Sequence, residues 1–200
     1  MYKLYEFFPS GNCYKIRLLL TQLRIPFQRI EINIVEGGSR TSEFLKKNPN
    51  GRVPVLEIEE GKYLSESNAI LYYLADETNF LSTDKAQRAL TLQWLFFEQY
   101  NHEPNIATSR YWIKILKKEK EYAEALKKKK EEGNKALQVM EQHLVQNNFF
   151  VNSCYSIADI ALFAYTHVAH EGGFDLNPFP NIRKWVERIK SQDDFIGITD

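Results

Sequence analysis

The sequence predicts an α/β domain over residues 1–77, followed by an all-α domain over residues 87–200. Up to about Asp76, short segments with the alternating or aromatic-rich pattern of strands are interleaved with segments of helical spacing. After Thr78 only helical spacing recurs, and its segments are longer. We therefore expect a small mixed sheet with helices on its faces, a linker over 77–86, and a helical second half.

The first 34 residues have the pattern of a β-α-β unit. Residues 2–8 form an aromatic-rich strand, residues 13–23 place apolar side chains at helical spacing, and Pro26 ends that helix. Residues 27–34 alternate as a second strand does. Because a crossover through a helix returns the chain in the same direction, we expect these two strands to be parallel.

The next segment adds a hairpin to this sheet. Residues 42–47 form a short helix at most, and a third strand covers 53–58. The fourth strand, at 63–64, follows so closely that the two must pair antiparallel. A further helix begins at Ser67 and runs to Leu74 or Ala75.

The second half is predicted to contain four helices. The first runs from Gln87 to about Lys120, with Pro104 bending or interrupting it. Its proposed apolar face carries Leu90, Trp94, Phe97 and Tyr100. The other three helices cover residues 120–146, 156–170 and 181–190. Ser156 and Asp159 have the spacing of a capping box at the start of the third.

Composition excludes several classes of function. The 26 basic and 26 acidic side chains balance, which argues against nucleic acid or an anionic membrane as the main partner. No segment is apolar for the ~20 residues of a membrane span, and the N-terminus has no signal-peptide core. Cys13 and Cys154 alone form no disulfide framework or metal cluster. We expect a cytoplasmic protein without a metal.

The first chemical motif is the turn Ser10-Gly11-Asn12-Cys13, which leads from a strand into a helix. A helix N-terminus has unpaired N–H groups and the positive end of the dipole, so an anion such as a thiolate is favoured there. A serine cannot exchange disulfides, but it can donate a hydrogen bond to a ligand thiolate. Simple capping by Ser10 is the alternative, and Cys13 is interpreted as structural.

Two further motifs are suited to a peptide-like ligand. If the Val53-Pro54 bond is cis, Val53 turns its backbone N–H and C=O outward, although an ordinary edge-strand proline is the alternative. At the next strand-to-helix junction, Ser67 can hold a carboxylate and Glu66 an ammonium group. An α-amino acid end carries both charges. Capping is again the alternative for this pair.

Taken together, the three motifs resemble those of the soluble glutathione transferases, particularly the bacterial and fungal theta-like classes. The matching stretches are F-P-S-G-N-C-Y-K-I-R-L at 8–18, E-F-L-K-K-N-P-N-G-R-V-P-V-L at 43–56 and L-S-E-S-N-A-I-L-Y-Y-L-A at 64–75. A looser match, S-I-A-D-I at 156–160, extends the resemblance over the chain. It implies a thioredoxin-like N-terminal domain and a helical domain that contributes the co-substrate pocket.

The resemblance also implies which residues bind glutathione. Val53, before Pro54, is similar to the residue that pairs with the cysteinyl backbone of glutathione. Glu66 and Ser67 resemble the pair that holds the γ-glutamyl end. Arg52 is the proposed partner of the glycyl carboxylate.

For the thiolate, the resemblance leaves two candidates. Ser10 is similar to the serine that hydrogen-bonds the glutathione sulfur in theta-like members, and Asn12 lies where some bacterial members place an asparagine. Two positions depart from the family pattern. Tyr14-Lys15 follows Cys13, where many theta-like members have an arginine, and Asn68 stands where several relatives carry arginine.

The implied activity is attack of the glutathione thiolate on a hydrophobic electrophile. Glutathione-dependent reduction of a disulfide or peroxide uses the same thiolate and stays open, as does a non-catalytic binding role. Arg110 and Tyr111 are candidates for the co-substrate pocket, with packing as the alternative. The resemblance implies a homodimer, with which the aromatic-rich segment 94–100 is consistent.

Overall fold

The computed structural model describes residues 1–200, which form two compact units. One unit comprises residues 1–76 and 193–200, and the other comprises residues 77–192. The first is α/β and the second is helical, so the predicted fold class is confirmed. The last eight residues, which the sequence placed in the helical domain, belong to the first unit.

The first unit is built on a four-stranded mixed sheet. Its elements, in chain order, are β1 (Tyr2–Glu6), α1 (Gly11–Gln22), β2 (Phe27–Glu31), α2 (Ser42–Lys47), β3 (Val55–Glu59), β4 (Lys62–Ser65) and α3 (Ser67–Ala75). The strand order is β2-β1-β3-β4. β1 and β2 are parallel and β3 pairs antiparallel with β4, both as predicted. β3 also pairs antiparallel with β1.

Alternation along the strands distributes apolar side chains to both faces of this sheet. Leu4 and Leu56 are paired across β1 and β3, and both are fully buried. The next pair in the register, Tyr5 and Val55, points to the opposite face and packs with Phe44 of α2. Helices α1 and α3 pack against each other. The two strand-to-helix junctions that open these helices are thereby held by one core.

The segment 193–200 joins the first unit through backbone acceptors. The guanidinium of Arg17, buried on α1, donates from Nη2 to the carbonyl of Ile198 at 2.7 Å. The hydroxyl of Tyr14 donates to the carbonyl of Ile196, also at 2.7 Å. Buried donors need acceptors, and these carbonyls supply them, which explains why the segment packs here.

The helical unit contains five α-helices. They are α4 (Lys85–Phe97), α5 (Glu103–Arg110), α6 (Ala123–Leu144), α7 (Ile157–Thr166) and α8 (Pro180–Lys190). None of them combines the length and the apolar character that crossing a membrane requires.

The predicted helix 87–120 is replaced by α4 and α5 with two π-helical segments, Glu98–His102 between them and Tyr111–Ile115 after α5. Pro104 lies in the first turn of α5, directly after the first π-helical segment, so the regular α-helix is interrupted beside it.

The structure differs from the predicted apolar face, and the π-helical turn accounts for the position of Tyr100. Trp94 is buried, but Leu90 is 45% exposed and Tyr100 is 85% exposed. Tyr100 lies within the first π-helical segment, whose wider turn shifts the side-chain register away from 3.6-residue spacing. The neighbouring Phe96 is also largely exposed, at 69%.

The start of α7 is closed by hydrogen bonds to a buried carboxylate. The Asp159 carboxylate accepts hydrogen bonds from the backbone N–H and the hydroxyl of Ser156, each at 3.0 Å, and from the backbone N–H of Phe150 at 3.1 Å. The Trp185 indole N–H donates to it at 2.9 Å. Burial raises the pKa of Asp159, and these four donors oppose that rise because they favour the carboxylate. The predicted capping box is present.

Candidate active site

Ser10 is the N-cap of α1, which begins two residues earlier than predicted. Its Oγ accepts a hydrogen bond from the backbone N–H of Cys13 at 3.4 Å. Burial raises the pKa of the Cys13 thiol to about 12, although a hydrogen bond to Ser10 opposes the rise. Cys13 is therefore protonated at neutral pH and is not a nucleophile. Ser10 Oγ accepts from the Cys13 N–H, and its hydroxyl proton can still be donated to a ligand.

Asn12 and Ser67 connect the two strand-to-helix junctions. The Ser67 hydroxyl, at the start of α3, donates to Asn12 Oδ1, in the first turn of α1, at 3.3 Å. Because the amide oxygen accepts from Ser67, the amide nitrogen, which carries the two donor hydrogens, faces away from it. The structure thus brings together one residue of the predicted thiolate turn and one of the predicted anchor.

Lys15 is a member of this cluster that sequence reasoning missed. Its side chain is fully buried, and Nζ donates to Ser67 Oγ and to Asn68 Oδ1, each at 3.3 Å. A lysine is ordinarily placed on the solvent face of a helix. The sequence offers one signal that Lys15 belongs to the site. It lies three residues after Asn12, and residues i and i+3 share one face of a helix.

Glu66 adopts an unusual backbone conformation at the second junction. It lies between β4 and α3 with φ 68° and ψ 111°, a region that non-glycine residues rarely occupy. Its side chain is exposed and makes no capping hydrogen bond to α3. Such strain is typical of functional sites, because it persists only where the surrounding structure enforces it.

The Val53-Pro54 peptide bond, just before β3, is cis. Pro54 is buried and Val53 is partly exposed. The preceding Arg52 has an exposed side chain, and its carbonyl accepts a hydrogen bond from Asn48 Nδ2 at 2.8 Å. The loop that leads into the proline is therefore held in place from within the first unit.

The two candidates for a co-substrate pocket lie in the helical unit. Arg110 is buried and pairs with Glu171 at 2.6 Å, and Glu171 also pairs with Lys114 at 3.2 Å. Tyr111 begins the second π-helical segment and is partly exposed. A cavity of about 300 Å³ in this unit is lined by other residues, among them Phe80, Leu81, Gln87, Thr91, Cys154 and Tyr155.

Two domain models of one known protein family match most of the chain. Residues 1–76 match the model of the glutathione S-transferase N-terminal domain, and residues 89–193 match that of the C-terminal domain. A solved structure of a glutathione S-transferase from Pseudomonas fluorescens Pf-5 is 48% identical, with a TM-score of 0.97 over 100% of this chain and 99% of that chain.

Two further relatives bear on the chemistry. The disulfide-bond oxidoreductase YfcG of Escherichia coli K12 is 32% identical over 193 residues, which cover 93% of this chain and 89% of YfcG. Another Pseudomonas fluorescens Pf-5 protein, a glutathione transferase family member solved with two glutathione molecules bound, is 26% identical, with a TM-score of 0.83 over 96% of this chain and 89% of that chain. The chain belongs to the glutathione S-transferase family.

Proposed function

We propose that the protein is a glutathione transferase, which binds glutathione and activates its thiol for attack on a hydrophobic electrophile. The observation that carries this proposal is the hydrogen bond from Ser67 to Asn12 at 3.3 Å. This bond joins the start of α3, which is suited to the amino acid end of glutathione, to the start of α1, which is suited to its thiolate. The glutathione seen in a structural relative supports the choice of ligand.

The anchor for the peptide consists of four positions. The exposed carboxylate of Glu66 pairs with the α-ammonium of the γ-glutamyl end. The N–H groups at the start of α3, beginning at Ser67, receive its α-carboxylate. The backbone of Val53 pairs with the cysteinyl residue, and the exposed Arg52 guanidinium meets the glycyl carboxylate.

The turn Ser10-Gly11-Asn12 can supply the free energy needed to lower the pKa of the glutathione thiol. A free thiol has a pKa of ~8.5, and lowering it by ~2 units needs ~2.7 kcal/mol of preference for the anion. One hydrogen bond to a charged group contributes ~1.5–3 kcal/mol, and a helix N-terminus adds ~0.3–1 kcal/mol. The amide of Asn12 at the start of α1 is sufficient. Ser10 Oγ accepts from the backbone N–H of Cys13, and its own hydroxyl proton can add a further hydrogen bond to the sulfur.

The reaction then follows from the thiolate. The glutathione sulfur forms a bond to an electrophilic carbon, the leaving group departs with the electron pair, and a thioether results. The helical domain contributes the pocket for the electrophile, and Arg110 and Tyr111 remain the candidates for that role. The pairing of Arg110 with Glu171 favours Tyr111 as the residue that touches the electrophile.

Disulfide reduction is the second candidate, and the similarity to a disulfide-bond oxidoreductase favours it. Here the bound thiolate attacks one disulfide sulfur and releases the other as a thiol. A second glutathione then attacks the mixed disulfide, so that oxidised glutathione leaves and two thiols have formed. In this scheme glutathione supplies both electrons, and the buried Cys13 thiol, with a pKa of about 12, supplies none.

Calorimetry and two assays test these proposals. Glutathione should bind, and its conjugation to a halogenated nitroarene should be faster than its reaction with a small disulfide. The opposite ratio would establish disulfide reduction as the activity. If glutathione does not bind, both enzymatic proposals fail and a non-catalytic binding role is favoured.

We also propose that the protein is a homodimer. Leu90, Phe96 and Tyr100 expose apolar or aromatic surface within one stretch of the helical unit. Exposed patches of this kind are typical of interfaces. Sedimentation should show a dimer, and Phe96→Ser should shift it toward monomer, whereas Val139→Ser, at an exposed position on α6, should not.

A further inference from the structure

We infer that Lys15 is a positioning residue of the glutathione site, which orients Asn12 through Ser67. The inference deepens the proposed function and rests on it. Lys15 touches neither the sulfur nor the electrophile in this scheme. It determines which end of the Asn12 amide is presented to the ligand thiolate.

The direction of the hydrogen bonds follows from the chemistry of the three groups. An ammonium has only donors, so Ser67 Oγ accepts from Lys15 Nζ at 3.3 Å. The hydroxyl has a single proton, and it points to Asn12 Oδ1, also at 3.3 Å. The chain of bonds therefore runs from Lys15 to Ser67 to Asn12. The second bond of Lys15, to Asn68 Oδ1 at 3.3 Å, fixes the ammonium at the start of α3.

The orientation of Asn12 has a direct chemical consequence. With Oδ1 directed at Ser67, the NH₂ group is the end that can meet the sulfur of the ligand. A rotated amide would present its oxygen to the thiolate and would repel it. A buried lysine is costly to keep, and here it stands next to the residues that form the proposed site. The role we assign explains why an ammonium occupies this position.

The arrangement also divides the tasks of Ser67. Because its hydroxyl proton is directed to Asn12, the α-carboxylate of the ligand is received by the backbone N–H groups of α3. The backbone N–H of Ser67 thus helps to bind the ligand carboxylate, while its side chain orients Asn12.

The test measures the pKa of the glutathione thiol bound to the protein, from the ultraviolet absorbance of the thiolate. Lys15→Met has a similar length but no donor. It should raise that pKa by about one unit, which is a roughly tenfold loss of thiolate below the pKa. Affinity for S-methylglutathione, which has no thiol to ionise, should change less than about threefold. Lys15→Arg should restore part of the shift, and Lys46→Met, at an exposed position of α2, should cause none.

A double-mutant cycle separates positioning from a direct charge effect. If Lys15 acts through Asn12, Lys15→Met should produce no further pKa shift in an Asn12→Ala background. Full additivity of the two shifts would overturn the inference, as would an unchanged pKa in Lys15→Met itself. Should Lys15→Met fail to fold, Ser67→Ala interrupts the same chain of bonds and must produce the same rise.

The inference can fail separately from the proposed function. If the wild-type protein does not bind glutathione, the proposed function is wrong. The orientation of Asn12 can still be followed in the free protein through the NMR signals of its side-chain amide. Those signals should shift in Lys15→Met and stay unchanged in Lys46→Met. Unchanged signals in both variants would show that Lys15 does not orient Asn12.

Discussion

The first turn of a helix has unpaired N–H groups, and two helices of this protein differ in what faces those groups. At the start of α7 the chain supplies its own carboxylate, Asp159, which accepts four hydrogen bonds and is fully buried. At the start of α3 the preceding residue, Glu66, has a φ of 68°, an exposed side chain and no capping hydrogen bond. The first helix end is completed by the fold. The second, in our proposal, is completed by the carboxylate of glutathione.

We expect the largest change in the free energy of unfolding from a substitution at the start of α7. Asp159→Ala removes a buried acceptor that serves Ser156, Phe150 and Trp185, so it should lower the free energy of unfolding by about 3–5 kcal/mol. Urea denaturation measures this loss. Ser156→Ala, the control at the cap itself, should cost only about 1 kcal/mol. A cost for Asp159→Ala below that of Ser156→Ala would contradict the comparison.

The other end of α7 should make stability depend on pH. The Nδ1–H of His167 donates to the carbonyl of Phe163 at 2.8 Å, and burial lowers the pKa of His167 to about 4. The folded pKa lies below the ordinary value of 6.5, so the unfolded chain binds more protons between pH 6.5 and 4. The contribution to stability is therefore complete above pH 6.5 and is lost as the pH falls toward 4, by up to about 3 kcal/mol.

Thermal unfolding as a function of pH tests this dependence. His167→Gln should flatten the curve between pH 6.5 and 4, and His170→Gln, at an exposed position, should leave it as it is. An equal slope in wild type and His167→Gln would assign the acid sensitivity to other groups.

Glu66→Gln tests the ligand-completed helix start. Loss of the charge opposite the α-ammonium should weaken glutathione binding by about 10–100-fold, because a charge-assisted hydrogen bond contributes ~1.5–3 kcal/mol. The free energy of unfolding should be unchanged, in contrast to Asp159→Ala. Glu60→Gln, nearby and exposed, is the control. Retained affinity in Glu66→Gln would place the γ-glutamyl end elsewhere.

Asn12→Ala and Ser10→Ala distinguish the two residues of the thiolate turn. Asn12→Ala should raise the pKa of the bound thiol by about 1–2 units, with little loss of helix stability. Ser10→Ala should raise that pKa less and should instead cost about 1 kcal/mol of unfolding free energy, since Ser10 caps α1. The reverse pattern would make Ser10 the principal thiolate partner.

The smallest effect concerns the strain at the second helix start. Glu66→Gly relieves the positive φ and should raise the free energy of unfolding by about 1 kcal/mol. It should nevertheless lose as much glutathione affinity as Glu66→Gln. Equal or lower stability than wild type would indicate that the backbone of Glu66 is not strained.

What the sequence reveals depends on whether a feature is local. The capping box of Ser156 and Asp159 was predictable, because both partners lie within one helical turn. Glu66 and Ser67 were predicted to bind a ligand from their position at a strand-to-helix junction, and that position is as predicted. Their hydrogen-bond partners were not predicted, because contacts between the starts of α1 and α3 join residues more than 50 positions apart.

Features that depend on tertiary packing were missed for the same reason. The only local signal for Lys15 is its spacing from Asn12, and its hydrogen-bond partners come from α3. In the π-helical segment around Tyr100, side-chain positions do not follow the 3.6-residue period on which the sequence prediction was based. The packing of residues 193–200 on Arg17 uses backbone carbonyls, which carry no signature in the sequence.

The bond between Arg17 and Ile198 also has a consequence for biosynthesis. The ribosome makes residues 1–76 first, yet one acceptor of this buried guanidinium, the carbonyl of Ile198, is added only after residues 77–192 have been made. At ~5–20 residues per second, the delay is about 6–23 seconds. During that interval the nascent α/β unit lacks one of its closing contacts. The α/β unit is therefore synthesised first and completed last, after the helical unit has been synthesised.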